Sequence, residues 1–234
     1  MARFAQLQQL TYLELSDIAL HAWNADPQLP ALQELTRLVD LRFDSEGHEC
    51  MPADALAGVC CLTRLELSGL GNIDARVLAG KTLLQHLNLP FLIAQTAELL
   101  SQLQHMQQLT HLDVRDCPEG WEEEEGGIPL ATAFSALTAS SKLQYLNISG
   151  RTVPRGAWQD IFPTGRQLPH LTYLDISEVK ESSGALAAAP KGTCLVSCCP
   201  NLRVINMAYL RGKAQLLDSL QGVRVVPAFE IEWI

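Results

Sequence analysis

The sequence predicts an α/β solenoid, a horseshoe with a parallel sheet on its concave side and helices or irregular turns on its convex side. Three observations predict it. A six-residue segment, first seen as Leu10-Thr11-Tyr12-Leu13-Glu14-Leu15, returns through the whole chain. Within each copy apolar and polar residues alternate, as in a strand buried on one face. Between copies lie stretches whose apolar residues recur every three or four positions, as a helix buried on one side requires.

Three copies repeat the first closely: Leu62-Thr63-Arg64-Leu65-Glu66-Leu67, Leu109-Thr110-His111-Leu112-Asp113-Val114 and Leu171-Thr172-Tyr173-Leu174-Asp175-Ile176. Looser copies start at Leu84, Leu143 and Leu202. Leu38-Val39-Asp40-Leu41-Arg42-Phe43 fits if Leu41 and Phe43 point inward. Starting that copy at Leu35 would instead bury Asp40, at a cost on the order of several kcal/mol if unpaired. The last copy, Leu220-Gln221-Gly222-Val223-Arg224-Val225, reads as a closing turn.

Counted between first inward residues, from Leu13 to Val223, the intervals are 28, 24, 22, 25, 34, 28, 31 and 18 residues. Several copies carry an apolar residue three positions upstream: Leu7, Val59, Met106, Leu168 and Cys199. The resulting string, L-x-x-L-x-x-L-x-L, resembles the leucine-rich-repeat family across almost the whole chain. The longer repeats, with room for a helix, resemble its ribonuclease-inhibitor-like, intracellular kind. One departure stands out. The position commonly Asn or Cys in the family is Cys117 once and otherwise Ile18, Leu70, Leu92, Val179 or Leu210. The resemblance implies parallel strands about 4.8 Å apart, each Leu pair forming a floor for the next. It also implies that the concave face binds protein ligands.

Helices are expected on the convex side at 53–59, 94–103 and 130–137. The expectation is a single domain over residues 1–234, with eight or nine repeats and a C-terminal cap at 218–234 that includes Phe229 and Trp233. The first rung begins within ten residues of Met1, so something beyond these residues is expected to cover that end. An F-box, the frequent companion of intracellular leucine-rich repeats, is not among these residues.

Composition narrows the function. The chain has 234 residues, 47% hydrophobic and 18% charged, as a folded domain has. No apolar run approaches the roughly 20 residues of a membrane span, and the start Met1-Ala2-Arg3-Phe4 lacks secretory-signal features. Seven cysteines cannot all pair internally. These features lead us to expect no membrane partner and a cytoplasmic protein with free thiols. The family resemblance implies in addition a cytoskeletal or ciliary (axonemal) setting, where such repeats are familiar. The net charge is −9, and it is uneven. Residues 1–130 hold 19 acidic and 7 basic side chains, or −12; residues 131–234 hold 7 and 10, or +3. The acidic half repels phosphate backbones, so nucleic acid is not an expected partner. It attracts a protein with a basic surface.

The candidate site is the outward wall of the strands. Its residues are Tyr12, Glu14, Arg42, Arg64, Glu66, His86 and Asn88 in the first half, then His111, Asp113, Arg115, Tyr145, Asn147, Tyr173 and Asp175. Tyr and Arg are common interface anchors. Tyr145 and Tyr173 fall on adjacent strands, and Tyr145→Ala is expected to leave folding nearly intact while weakening binding. A second candidate is the loop in the longest interval, where Trp121 precedes Glu122, Glu123, Glu124 and Glu125. A basic groove could receive it, although an acidic run is more often a solvated loop.

Catalytic and metal signals are weak. Gly80-Lys81-Thr82 resembles the end of a phosphate loop, but the glycine required five residues earlier is Ala75. Cys60-Cys61 and the group Cys194, Cys198 and Cys199 lack C-x-x-C spacing, and His48-Glu49-Cys50 has no second half. His86 and His111 are read as adjacent surface histidines. Asn147-Ile148-Ser149 fits a glycosylation pattern but lies inside a strand. No cofactor and no metal are expected. The function read from the sequence is a non-enzymatic protein-binding scaffold. The alternatives are a substrate-recognition subunit of a ubiquitin ligase, suggested by Cys198-Cys199-Pro200-Asn201-Leu202, and an enzyme whose site lies in the loops.

Overall fold

A strand with leucines on one face and polar residues on the other cannot bury its apolar side alone. In the computed structural model the chain stacks nine such strands side by side. The structure describes residues 8–16, 32–45, 50–90, 97–115, 130–181 and 185–226. The strands are β1 (Tyr12–Leu15), β2 (Asp40–Asp44), β3 (Arg64–Ser68), β4 (His86–Asn88), β5 (His111–Asp113), β6 (Tyr145–Asn147), β7 (Tyr173–Asp175), β8 (Val204–Asn206) and β9 (Arg224–Val226). They form one parallel sheet in sequence order.

The register is set by the leucines. Leu13, Leu41, Leu65, Leu87, Leu112, Leu146, Leu174, Ile205 and Val225 occupy one inward column. From Leu41 to Ile205 this column is wholly shielded from solvent, while Leu13 and Val225 at the sheet edges are only partly buried. Each buried Leu is worth roughly 1.5–3 kcal/mol relative to exposure, so the column dominates the fold's stability. The backbone repeats just as regularly: one carbonyl accepts two successive N–H groups from the next rung. Thr11 O takes those of Val39 and Asp40, and Thr172 O takes those of Arg203 and Val204.

Asp40 pairs in register with Arg64 on the outward face, as the first of the two registers expects. The closing rung corrects the sequence reading. Ile205 pairs with Val225, 20 residues on, so Val225 and not Val223 takes the place in the inward column, although both pack against the core. Of the expected cap, only residues 218–226 are described; 227–234 lie outside the described residues.

Convex segments pack against the other side of the leucine layer. Five α-helices are found among the described residues: α1 (Ala97–Ser101), α2 (Leu130–Ala136), α3 (Trp158–Ile161), α4 (Gly192–Cys198) and α5 (Lys213–Ser219). The helix expected at 53–59 is absent. Ala55, Ala57 and Val59 instead donate three residues back, to Pro52, Asp54 and Leu56, in a run of tight turns. The 24 residues of that repeat leave little room for a helix, and Pro52 and Gly58 disfavour one. Two short parallel ladders line the flank where the chain leaves the concave sheet: Cys50–Met51 with Asn72–Ile73, and Thr152–Val153 with Lys180–Glu181.

Four of the described exits place a left-handed residue four positions after the first inward residue, whereas Ser45 after Leu41 is not left-handed. Gly69 and Gly150 supply it at φ 69° and 68°, whereas Glu178 and Tyr209 hold it at 56° and 64°. Glycine does so without steric cost, and other residues do not.

Candidate functional site

Parallel strands in register turn equivalent outward positions into rows that cross the sheet. The first row reads Tyr12, Asp40, Arg64, His86, His111, Tyr145, Tyr173, Val204 and Arg224. Its middle is a stack of rings. Centroids of His86 and His111 are 5.5 Å apart, those of His111 and Tyr145 4.0 Å, and those of Tyr145 and Tyr173 4.5 Å. The last two pairs are within 7° and 4° of parallel. The faces of Tyr145 are thus covered by its neighbours, and the rings offer their edges to the concavity. Aromatic edges are electropositive, so they suit a carbonyl oxygen or the face of a partner's ring.

Burial, assisted by the charges of His86 and Arg64, depresses the His111 pKa to about 4. Burial also lowers that of His86. Both imidazoles are therefore neutral near pH 7 and do not repel each other. Burial, helped by Asp113, raises the Tyr145 phenol, and burial with the Asp175 charge pushes Tyr173 up to about 12.

The second row is Glu14, Arg42, Glu66, Asn88, Asp113, Asn147, Asp175 and Asn206. Up to the ninth rung, where Val226 takes this place, carboxylates fall on odd rungs and hydrogen-bond donors on even rungs. At about 4.8 Å spacing, adjacent carboxylates would repel one another; the alternation puts a donor beside each. Asn88 Nδ2 donates to Glu66 at 3.0 Å, Asn147 Nδ2 to Asp113 at 3.3 Å and Asn206 Nδ2 to Asp175 at 2.9 Å.

The later members also close the strands. Asp113, Asn147, Asp175 and Asn206 each accept the backbone N–H two residues on, from Arg115, Ser149, Ser177 and Ala208. At Asn88 the residue two on is Pro90, which has no N–H. Asn88 Oδ1 is correspondingly buried without a hydrogen bond.

All fourteen sequence candidates of the strand wall lie on this face, but they are not alike. Asp113, Asn147 and Asp175 are 3%, 3% and 7% exposed. Outward alternation alone led us to expect them at the surface. Neighbouring side chains crowd them: the Tyr145 hydroxyl of the same strand lies 3.5 Å from Asn147 Nδ2, and Asn206 of the next rung donates to Asp175. Burial raises the Asp113 pKa, partly offset by Arg115 and Asn147. These three side chains hold the wall together beneath the rings.

The first rungs are open instead. Asp40 meets Arg42 at 3.5 Å and Arg64 at 3.6 Å, and Arg42 also faces Glu66 at 4.0 Å. Arg42 lies 5.7 Å from the Tyr12 ring centroid, and the Tyr12 hydroxyl donates to Glu14. A dimple of about 160 Å³ opens between Glu14, Arg42, Asp44, Glu66 and Ser68. Asp40 and Asp44, also read from the sequence as outward residues of this face, take part here. Their signal was available in the sequence: each lies two residues from Arg42, on the same face of the strand.

Trp121 and Glu122 to Glu125 lie outside the described residues. Lys81 is not a phosphate ligand in waiting: it is buried, and its ammonium donates to the Leu56 carbonyl at 2.8 Å. Among the described residues, no group of three His, Cys, Asp or Glu is placed to hold a metal. No described helix is long and apolar enough to cross a membrane.

No protein-family model matches the chain, and no curated protein matches it. Solved structures do match. Internalin C2 from Listeria monocytogenes aligns over 95% of this chain and 83% of that one, with a TM-score of 0.57 and 17% identity. The fold is the leucine-rich-repeat solenoid. A chain of the Rad7–Elc1 complex from yeast aligns over 92% of this chain and 54% of its own length, with a TM-score of 0.57 and 19% identity. The leucine-rich-repeat protein LIC12759 of Leptospira interrogans aligns over 94% and 62%, at 0.49 and 15%. In this chain, the wall formed by the two rows is the concave face of the repeat array.

Proposed function

We propose that this leucine-rich-repeat solenoid is a non-catalytic scaffold that captures a protein partner on its concave face. The observation that carries the reading is the half-exposed ring strip His86–His111–Tyr145–Tyr173, laid across four successive rungs beside the open, carboxylate-rich first three. Aromatic side chains held rigid by their neighbours lose little entropy on binding, which favours them as anchors. A partner with a basic segment meets Glu14, Asp44 and Glu66, and its carbonyls or rings meet the strip. Exposed charges of this kind chiefly steer association and set its salt dependence. We place this scaffold in the cytoplasm as part of the same proposal, a setting supported by the free thiols of the five described cysteines.

A second reading, the substrate-recognition subunit of a ubiquitin ligase, draws support from the likeness to a chain crystallised in the Rad7–Elc1 complex. Under it, ligase subunits co-purify with the chain.

The test is positional photo-crosslinking in a cell extract. A benzophenone amino acid replaces His86 or Glu66 on the concave face, or Val196 on the convex helix α4. Protein adducts from the two concave positions and none from Val196 are the expected result. Adducts only from Val196, or none from any position, would remove the concave assignment.

A further inference from the structure

We infer that the flank of the solenoid carries a second binding site, independent of the concave face, for an apolar group that bears a carboxylate. A cleft of about 440 Å³ opens between the Thr152–Val153/Lys180–Glu181 ladder and helices α3 and α4. That volume lies within the roughly 300–1,000 Å³ of small-ligand pockets. Its floor is apolar, made of Val153, Phe162, Ala187 and Pro190, all buried. One wall is the indole of Trp158. It is fixed at one end by donation from Nε1 to the Ala188 carbonyl at 2.6 Å and at its side by Phe162, with centroids 6.5 Å apart. A rigid apolar slot of this kind takes a ring or a branched chain.

The rim decides the charge. Arg155 and Lys191 also line the cleft, both exposed, and among the described residues neither forms an ion pair. The single carboxylate that lines it, Glu181, is already engaged by Arg211 at 3.5 Å. In a chain of net charge −9, this is a locally cationic opening over an apolar floor. A ligand without negative charge leaves both cations unused. A multiply charged ligand without an apolar body leaves the floor empty. A single carboxylate next to a ring or branched chain matches both. The C-terminal residue of a polypeptide and a free aromatic acid share that chemistry.

The experiment is ligand-observed NMR titration of the intact chain with N-acetyl-phenylalanine, its uncharged amide, and a four-residue peptide ending in phenylalanine. Saturable binding of the acid at roughly millimolar concentration, about tenfold tighter than the amide, is expected. Arg155→Glu combined with Lys191→Glu, both exposed and tolerable to the fold, should bring the acid down to the amide's affinity with the circular dichroism spectrum unchanged. Trp158→Ala should abolish binding of both. A peptide at least tenfold tighter than the free acid assigns the site to a polypeptide terminus, and equal affinities assign it to a free acid. Acid and amide binding alike, no saturable binding of the acid, or full binding by the charge-reversed variant would overturn the inference. None of these outcomes bears on the concave face, whose crosslinks are read separately.

Discussion

The Tyr145 ring lies on the His111 ring, with centroids 4.0 Å apart and planes within 7° of parallel. The contact belongs to the binding strip and to the folding energy at once, so it has consequences for pH and for truncation.

The pH consequence follows from the His111 pKa, held at about 4 against an ordinary 6.5. Above pH 6.5 the imidazole is neutral in both folded and unfolded chains. As pH falls below that value, the unfolded chain takes up a proton that the folded chain refuses until about pH 4. Stability is therefore lost across that window. His111→Tyr keeps a ring in the stack and removes the titration. Urea midpoints at pH 7.5 and 5 should fall further for the natural chain than for the variant. Equal falls would show that burial does not depress this histidine.

Truncating Tyr145 removes two stacking partners together, since Tyr173 lies on its other face. Stacked pairs are worth roughly 0.5–1.5 kcal/mol each. Tyr145→Ala should thus cost about 1–3 kcal/mol by chemical denaturation. The sequence alone led us to expect almost no cost, because it shows the alternation and not the lateral stack.

Leu112 sits in the middle of the inward column and is fully buried. Leu112→Ala should cost about 2–5 kcal/mol, the range for large core truncations. Thermal or urea unfolding measures it. A cost below that of Tyr145→Ala would contradict the assignment of inside and outside.

The left-handed exit position separates glycine from its substitutes. A Cβ on Gly69 would come 1.7 Å from the Ser45 carbonyl oxygen, so Gly69→Ala should destabilise by about 2–5 kcal/mol. Glu178 already bears a side chain at φ 56°. Glu178→Gly should relieve roughly 1 kcal/mol of that strain, offset in part by the greater entropy of glycine in the unfolded chain. Midpoints that move in opposite directions, down for the first and level or up for the second, are the expected pattern.

Most of the architecture was legible because it is a one-dimensional pattern. Leu13 through Ile205 announce their column by spacing and alternation, and the structure pairs them as read. Two misses have local causes. Val223 and Val225 alternate equally well around Arg224, so only pairing with Ile205 across the rungs chooses between them. The turns at 53–59 contain helix-compatible alanines, and the short repeat overrides that preference. The site was legible in membership and not in burial. Glu66, Asn88, Asp113, Asn147, Asp175 and Asn206 already alternate when the copies are aligned. Yet burial of the later ones depends on which side chains close over them in three dimensions, such as the Tyr145 hydroxyl beside Asn147 and, from the next rung, Asn206 on Asp175.

Successive rungs lie in register, so that the carboxylates and amides of the second row satisfy one another across the sheet. A double-mutant cycle on Asp175 and Asn206 tests this most directly. Asp175→Asn and Asn206→Asp should each destabilise the chain by about 1–3 kcal/mol, because like groups then face each other in a buried row. The exchanged pair restores a donor beside an acceptor and keeps both oxygens that accept from Ser177 and Ala208. It should recover at least half of the summed loss, a coupling of about 0.5–3 kcal/mol. Additive losses in the exchanged pair would mean that these two side chains do not meet, and the register built on them would fall.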